Sequence, residues 1–207
     1  MYKNKIKLLG RGILAVIMAI IIFYFNPAAQ AAGIDTPPVY TDLTPTNPDI
    51  SYVIYLSEKR IITGYPDGSF KPQEGLTRAQ AATVIAKAAN LSLDQSAESP
   101  FKDLSTEHWA RPYIAAAVKA GYINGFPDGS FQPDQPLSRA QAISLILRLS
   151  KQPQTASLPI LKDINNQHWA ASAVAVGLAS GMTGLSADGQ YYLPDAPFSR
   201  INMAHAL

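Results

Sequence analysis

Residues 138–149 carry a helical pattern of apolar residues with a very narrow polar face. Three polar positions interrupt the run of alanine, isoleucine and leucine: Gln141, Ser144 and Arg148. The same stripe occurs once earlier in the chain, as Gln80, Thr83 and Lys87. A helix with so little polar surface should be largely buried. These helices are therefore expected to meet in one central bundle.

A second, weaker helical pattern precedes each of these helices. In the middle of the chain it runs from about Glu107 to Ala120, with apolar residues at roughly helical spacing. A turn, "GFPDGSF", follows. Pro127 presets its own backbone angle there and Gly129 permits a left-handed one. Phe131 is then expected to enter the core.

The whole pattern is repeated three times. "GYPDGSFKP" (64–72) matches "GFPDGSFQP" (125–133) at an offset of 61 residues, and "ADGQYYLPDAPFSR" (187–200) is a third, looser copy. A fixed interval of this kind is typical of repeat architectures. The boundaries predicted are a linker at 32–39 and repeats at 40–93, 100–151 and 159–207, the last one short at its C-terminal end. We predict a mainly α fold, with three helix–loop–helix repeats around a pseudo-threefold central helical bundle.

The start of each second helix carries a capping motif and an arginine. Thr77 with Gln80, and Ser138 with Gln141, have the spacing of a capping box. The residue after each cap is an arginine: Arg78, Arg139 and Arg200. A cation at the first helical position faces the positive end of the helix dipole. Its recurrence favours either a ligand contact or a salt bridge between repeats, for example from Arg139 to Asp103 or Asp163.

The N-terminus has the features of a secretory signal peptide. Four cations precede a thirteen-residue apolar run, Ile13 to Phe25, and small residues follow at Ala29-Gln30-Ala31. The predicted signal peptide is residues 1–31. An uncleaved anchor helix is the alternative, and it is the one route by which this chain is expected to contact a membrane.

Removal of this segment changes the charge balance. The full chain has 17 basic and 15 acidic residues, and losing four cations leaves 13 basic residues against 15 acidic ones. A nucleic-acid partner therefore has no electrostatic support. The chain has no cysteine, so its exported form must rely on a packed core rather than on disulfides.

Metal binding and catalysis are poorly supported by the motifs. Asp67-Gly68 and Asp128-Gly129 lack the alternating acidic pattern of a calcium loop. His108 and His168 occupy equivalent places in different repeats, where a polar residue at a helix start is the simpler interpretation. The carboxylates a glycosidase would need belong to repeated motifs, whereas catalytic groups are normally unique. We expect a protein that is not an enzyme, needs no cofactor or metal, and is a monomer.

The repeated motifs resemble those of the S-layer homology domain. The resemblance rests on "FKDL…HWA" (101–110), "GFPDGSFQP" (125–133) and "SRAQ" (138–141), and it covers residues 40–207. Repeat 1 has Asn47 and Pro48 in place of His-Trp, and repeat 3 has "SRIN" in place of "SRAQ". Such domains attach exported proteins to the cell envelope without a covalent bond. In Gram-positive bacteria they bind pyruvylated secondary cell-wall polysaccharide in grooves between repeats, and in some Gram-negative lineages they bind modified peptidoglycan.

The resemblance implies a set of ligand-binding residues. A ketal carboxylate suits the planar guanidinium fork of Arg139, Arg78 and Arg200, expected to contribute in that order. The remaining candidates are two turn glycines, a turn aspartate and two tryptophans that face a sugar ring or fill the core: Gly64, Gly125, Asp128, Trp109 and Trp169. A module that binds another envelope protein, or peptidoglycan itself, is the competing hypothesis.

Overall fold

The computed structural model describes residues 39–96, 98–99, 101–151 and 155–207. Within them are six α-helices, two per repeat: α1 (Ile50–Glu58), α2 (Arg78–Ala88), α3 (Arg111–Lys119), α4 (Arg139–Ser150), α5 (Ala171–Ala179) and α6 (Arg200–Ala206). The mainly α, helix–loop–helix prediction is confirmed. The predicted signal peptide and nearly all of the linker fall outside the described residues. No helix in the described part of the chain has the length and apolar content to cross a bilayer.

The first helix of repeat 2 is shorter than its apolar pattern predicts. It begins at Arg111 rather than near Glu107, and residues 105–110 form turns. Pro112 lies in the first turn, where its missing amide hydrogen does no harm. His108 stabilises the turn directly before α3, because its Nδ1 accepts the amide hydrogen of Ala110 at 3.1 Å. His168 does the same for Ala170, so both histidines have the predicted role at a helix start.

The second helices begin where the capping motif predicts. The Ser138 hydroxyl accepts the Gln141 amide at 3.3 Å, and the Gln141 side chain accepts the Ser138 amide at 3.2 Å. Thr77 and Gln80 form the same box. In repeat 3 the Ser199 hydroxyl accepts the amide of Asn202 at 3.3 Å, so the hydroxyl half of the cap is kept where asparagine replaces glutamine.

Replacing Ser138 by alanine is expected to lower the free energy of unfolding by about 1 kcal/mol, the usual loss for an N-cap hydroxyl. Urea denaturation measures it. The matched control is Ser150→Ala, at the exposed C-terminal end of the same helix. Equal losses in the two variants would contradict a specific contribution from the cap.

The repeats pack in cyclic order. Each second helix contacts the first helix of the next repeat: α2 packs on α3, α4 on α5, and α6 returns to α1. The second helices also contact one another, α2 with α4 and α4 with α6. The last repeat therefore closes onto the first, as the predicted pseudo-threefold arrangement requires.

A ring of three hydrogen bonds lies where the repeats meet. The amide of Leu137 donates to the carbonyl of Leu76, that of Phe198 to Leu137, and that of Leu76 to Phe198, at 2.8, 2.8 and 3.0 Å. All three side chains are fully buried. Each residue lies directly before the cap of a second helix, so the three helix starts are fixed relative to one another.

Candidate functional site

Each second-helix arginine reaches into the loop of the next repeat. Arg78 Nε donates to the carbonyl of Phe131 at 2.8 Å, and Nη2 donates to the carbonyl of Asn124 at 2.9 Å. The guanidinium lies over the rings of Phe126 and Phe131, at 4.5 and 4.8 Å from their centroids. Burial lowers the pKa of Arg78, and the Asp103 carboxylate opposes this shift.

The other two arginines repeat this geometry around the pseudo-threefold axis. Arg139 Nε donates to Tyr192 O at 2.9 Å and its Nη2 to Gly184 O at 2.6 Å. Arg200 closes the cycle onto repeat 1, donating to the carbonyls of Phe70 and Thr63 at 2.7 Å each. Arg78 and Arg200 are buried, whereas Arg139 is half-buried.

The partners of the arginines are carbonyls rather than carboxylates. None of the ion pairs formed within the described ranges includes one of them, so the salt-bridge hypothesis is wrong although the contact between repeats is real. The aspartates have another task. Asp103 accepts the amides of Phe131 and Gln132 at 2.8 and 2.7 Å, and Asp163 accepts two amides in repeat 3. Desolvation raises the pKa of Asp103, but these two amide bonds outweigh it and the net shift is downward.

The larger cavity lies beside Arg139 and is formed by all three repeats. It has a volume of about 480 Å³. It is lined by Pro48, Asp49, Arg139, Gly181, Met182, Thr183, Gly184, Asn202 and His205. Repeat 2 supplies the arginine, repeat 3 supplies the loop and helix α6, and repeat 1 supplies the segment before α1.

A smaller cavity beside Arg78 is built in the same way. Its volume is about 150 Å³, and its lining includes Asn124 and Trp169. The polar stripe of α4 also lines it, through Gln141, Ser144 and Arg148. The stripe that interrupts an otherwise apolar helix is therefore the wall of a groove. Here repeat 1 supplies the arginine, repeat 2 the loop and helix, and repeat 3 the tryptophan.

The two tryptophans lie on the surface. Trp109 is 57% exposed and Trp169 is 65% exposed, so the interpretation that they fill the core is wrong. Both precede their helices, and each ring lies against the histidine before it, at centroid distances of 5.7 and 5.5 Å. The error follows from placing Trp109 within α3, which begins only at Arg111.

The turn candidates are explained by packing within the repeat. A Cβ on Gly125 would collide with the Phe101 ring and with the carbonyl of Ser130, and Gly64 is confined in the same way by Tyr40 and Ser69. Asp128 accepts the Ser130 hydroxyl at 2.6 Å, and this bond lowers the pKa of Asp128. Gly125 and Asp128 thus shape the turn that follows Asn124, a residue of the smaller cavity, and Gly64 shapes the equivalent turn of repeat 1.

Sequence reasoning missed the residues that complete the larger cavity. Asp49 and His205 lie 156 residues apart, yet the Nδ1 of His205 is 2.7 Å from Oδ1 of Asp49. His205 occupies the register position of Ser144 and Thr83, which belong to the polar stripes of the other two repeats. Following that stripe into the third repeat would have found it.

The comparison with known families agrees with this architecture. Residues 39–82 and 100–143 match the S-layer homology domain. Repeats 1 and 2 are S-layer homology domains. Repeat 3 has the same N-cap hydroxyl bond, the same type of arginine contact and the same aspartate-to-amide bonds as these two domains.

The relatives of this chain are cell-surface proteins. It is 31% identical to a cellulosome-anchoring protein of Acetivibrio thermocellus over 72% of its length, and 33% identical to an S-layer protein of Bacillus thuringiensis subsp. finitimus over 75%. It is also 29% identical over 77% of its length to cell surface glycoprotein 1 of A. thermocellus. The chain spans 34%, 20% and 7% of those three relatives. These similarities identify an exported protein of the cell surface.

Proposed function

We propose that this cell-surface anchoring module binds an anionic cell-wall polysaccharide in the grooves between its repeats, without catalysis. Pyruvylated secondary cell-wall polysaccharide is the proposed ligand. The observation that carries the proposal is the larger cavity, because it combines a fixed arginine with contributions from three repeats. We further propose that residues 159–207 act as a third S-layer homology domain.

The chemistry of the grooves supports an acidic sugar. A guanidinium has five N–H donors, and the contacts of Arg139 to the next repeat go through Nε and Nη2. The Nη1 donors are not needed for these bonds. A ketal carboxylate in the cavity would therefore meet a cation whose position is already fixed, which reduces the entropy lost on binding.

The smaller groove adds a surface for the sugar ring. Trp169 and Arg148 line it together with Arg78, and the exposed indole offers an apolar face to the C–H groups of a pyranose. Repeat 1 has Pro48 at the equivalent place, in the larger cavity. The two grooves are thus proposed to differ, the larger one in volume and the smaller one in aromatic contact.

A co-sedimentation experiment tests the proposal. A protein of residues 39–207 should pellet with intact cell-wall sacculi. It should stay in solution with sacculi from which the secondary polysaccharide has been removed chemically. Retention on stripped sacculi would favour peptidoglycan as the ligand. Failure to bind either preparation, together with capture by envelope proteins, would favour the protein-interaction hypothesis.

Replacing Arg139 by alanine is expected to weaken binding by about 1.5–3 kcal/mol, the range for a charged hydrogen bond. Arg139→Lys should recover only part of the loss, because one ammonium group cannot bond the carbonyls of Tyr192 and Gly184 and also reach the ligand. Calorimetry with a pyruvylated disaccharide measures the affinity, well below the melting temperature of each variant. Lys151→Ala, an exposed cation just after α4, is the control. An Arg139→Ala protein that melts earlier but keeps its affinity would assign this arginine to the fold alone.

A further inference from the structure

His205 joins repeat 3 to repeat 1 inside the larger cavity. Its Nδ1 is 2.7 Å from Oδ1 of Asp49, the residue before α1. Its Nε2 is 2.8 Å from the carbonyl oxygen of Gly181. The imidazole therefore bridges the first and last repeats of the ring.

Both partners of this imidazole are hydrogen-bond acceptors. An ionised carboxylate and a carbonyl have no hydrogen to donate, and a neutral imidazole has a single N–H. Only the imidazolium, with an N–H on each nitrogen, satisfies both contacts at once. The Nδ1 atoms of His108 and His168 differ from that of His205, because each accepts a backbone amide hydrogen and so carries no hydrogen of its own in this contact.

Several charged and aromatic groups surround His205, so its protonation changes the net charge of the cavity. Asp49 faces it from the segment before α1, Tyr52 of α1 presents its ring at a centroid distance of 5.5 Å, and Arg139 of α4 lines the same cavity. On its own helix, Arg200 is directed to the carbonyls of Phe70 and Thr63. The hydrogen bond to Asp49 raises the pKa of His205 above 6.5, with desolvation opposing and the Gly181 bond assisting.

We propose that protonation of His205 controls the affinity of the Arg139 cavity for a carboxylate ligand. With His205 protonated, Asp49 is neutralised and the three groups sum to one positive charge. With His205 neutral, Asp49 is unpaired and the cavity has no net charge. This inference rests on the proposed function, since it assigns a regulating group to the same groove.

The direction of the pH dependence follows from the hydrogen bonds. Folding raises the pKa of His205. The imidazolium contacts with Asp49 and Gly181 are therefore fully formed below the ordinary histidine pKa of about 6.5, and they are lost as pH rises through the higher pKa of the folded protein. The carboxylate of a pyruvyl ketal stays ionised throughout this range. Affinity should therefore fall as pH rises, through a change in the protein alone.

Calorimetry with a pyruvylated disaccharide at pH 5.5, 6.5, 7.5 and 8.5, at constant ionic strength, tests the inference. Wild type should lose about 5- to 10-fold in affinity across the series, the size expected for one unit charge about 4 Å away in a medium as polar as bulk water. His205→Gln should bind with little pH dependence, whereas Asp49→Asn should keep a pH dependence that is shifted to lower pH, because its His205 still titrates but lacks the carboxylate partner. His108→Gln, the same change in another repeat, should keep the wild-type slope.

A titration of the histidine ring signals by NMR, without ligand, separates the possible failures. His205, assigned by the loss of its signal in His205→Gln, should titrate above pH 6.5, and Asp49→Asn should lower that midpoint. PH-independent binding by wild type, or an unchanged slope in His205→Gln, would overturn the inference and leave the proposed function intact. Absence of binding at every pH would overturn both, even if the titration shows the Asp49 contact.

Discussion

Replacing Phe131 by alanine is expected to lower the free energy of unfolding by about 3–5 kcal/mol, the range for a buried phenylalanine. Phe131 is fully buried, packs on Phe101 at a centroid distance of 5.2 Å, and supports the Arg78 guanidinium. The loss should be large because the ring serves both the core of repeat 2 and the contact with repeat 1.

Urea denaturation of Phe131→Ala beside Trp109→Ala measures this effect. Trp109 is an aromatic residue of the same repeat but lies on the surface, so its removal should lower stability by about 1 kcal/mol or less. Similar losses of stability in the two variants would contradict the assignment of Phe131 to the core and Trp109 to the surface.

Arg200→Met is expected to lower the free energy of unfolding by about 3–5 kcal/mol and to weaken the contact between repeat 3 and repeat 1. The change removes two charge-assisted hydrogen bonds, each of about 1.5–3 kcal/mol, and leaves the carbonyls of Phe70 and Thr63 without this donor. Methionine keeps much of the volume, so the loss reports mainly on the hydrogen bonds.

Lys119→Met at the exposed end of α3 is the control for Arg200→Met. Arg200→Lys should recover less than half of the loss, because one ammonium group cannot reproduce the two directions of the guanidinium. Thermal melting and urea midpoints report the effect. Unchanged midpoints in Arg200→Met would show that the bonds to repeat 1 contribute nothing to closure.

The elements of the fold could be predicted because their causes are local. The capping box at Ser138 depends on four consecutive residues, and the burial of α4 follows from its narrow polar face. The resemblance among three copies also predicts threefold packing. The start of α3 could not be placed from the same pattern, since the turns before Arg111 contain helix-forming residues and depend on a histidine-to-amide bond.

The candidate site was harder to predict because the arginines bond residues that are distant in the sequence, and no sequence motif identifies these residues as partners. The carbonyls that accept from Arg78 belong to Asn124 and Phe131, and any residue type would offer the same atom. A search for a carboxylate partner therefore selects Asp103 and Asp163 wrongly. The meeting of Trp169 with Arg78 depends on the cyclic order of the repeats, which periodicity within one repeat does not specify.

The closure of the last repeat onto the first has a consequence for how the chain acquires its structure during export. The Phe70 carbonyl receives its hydrogen bond from Arg200, a residue 130 positions later. A chain that crosses the membrane from its N-terminus presents repeat 1 to the outside long before that partner arrives. Until α6 has emerged, the surface of repeat 1 that packs against α6 is exposed to proteases and to association with neighbouring copies.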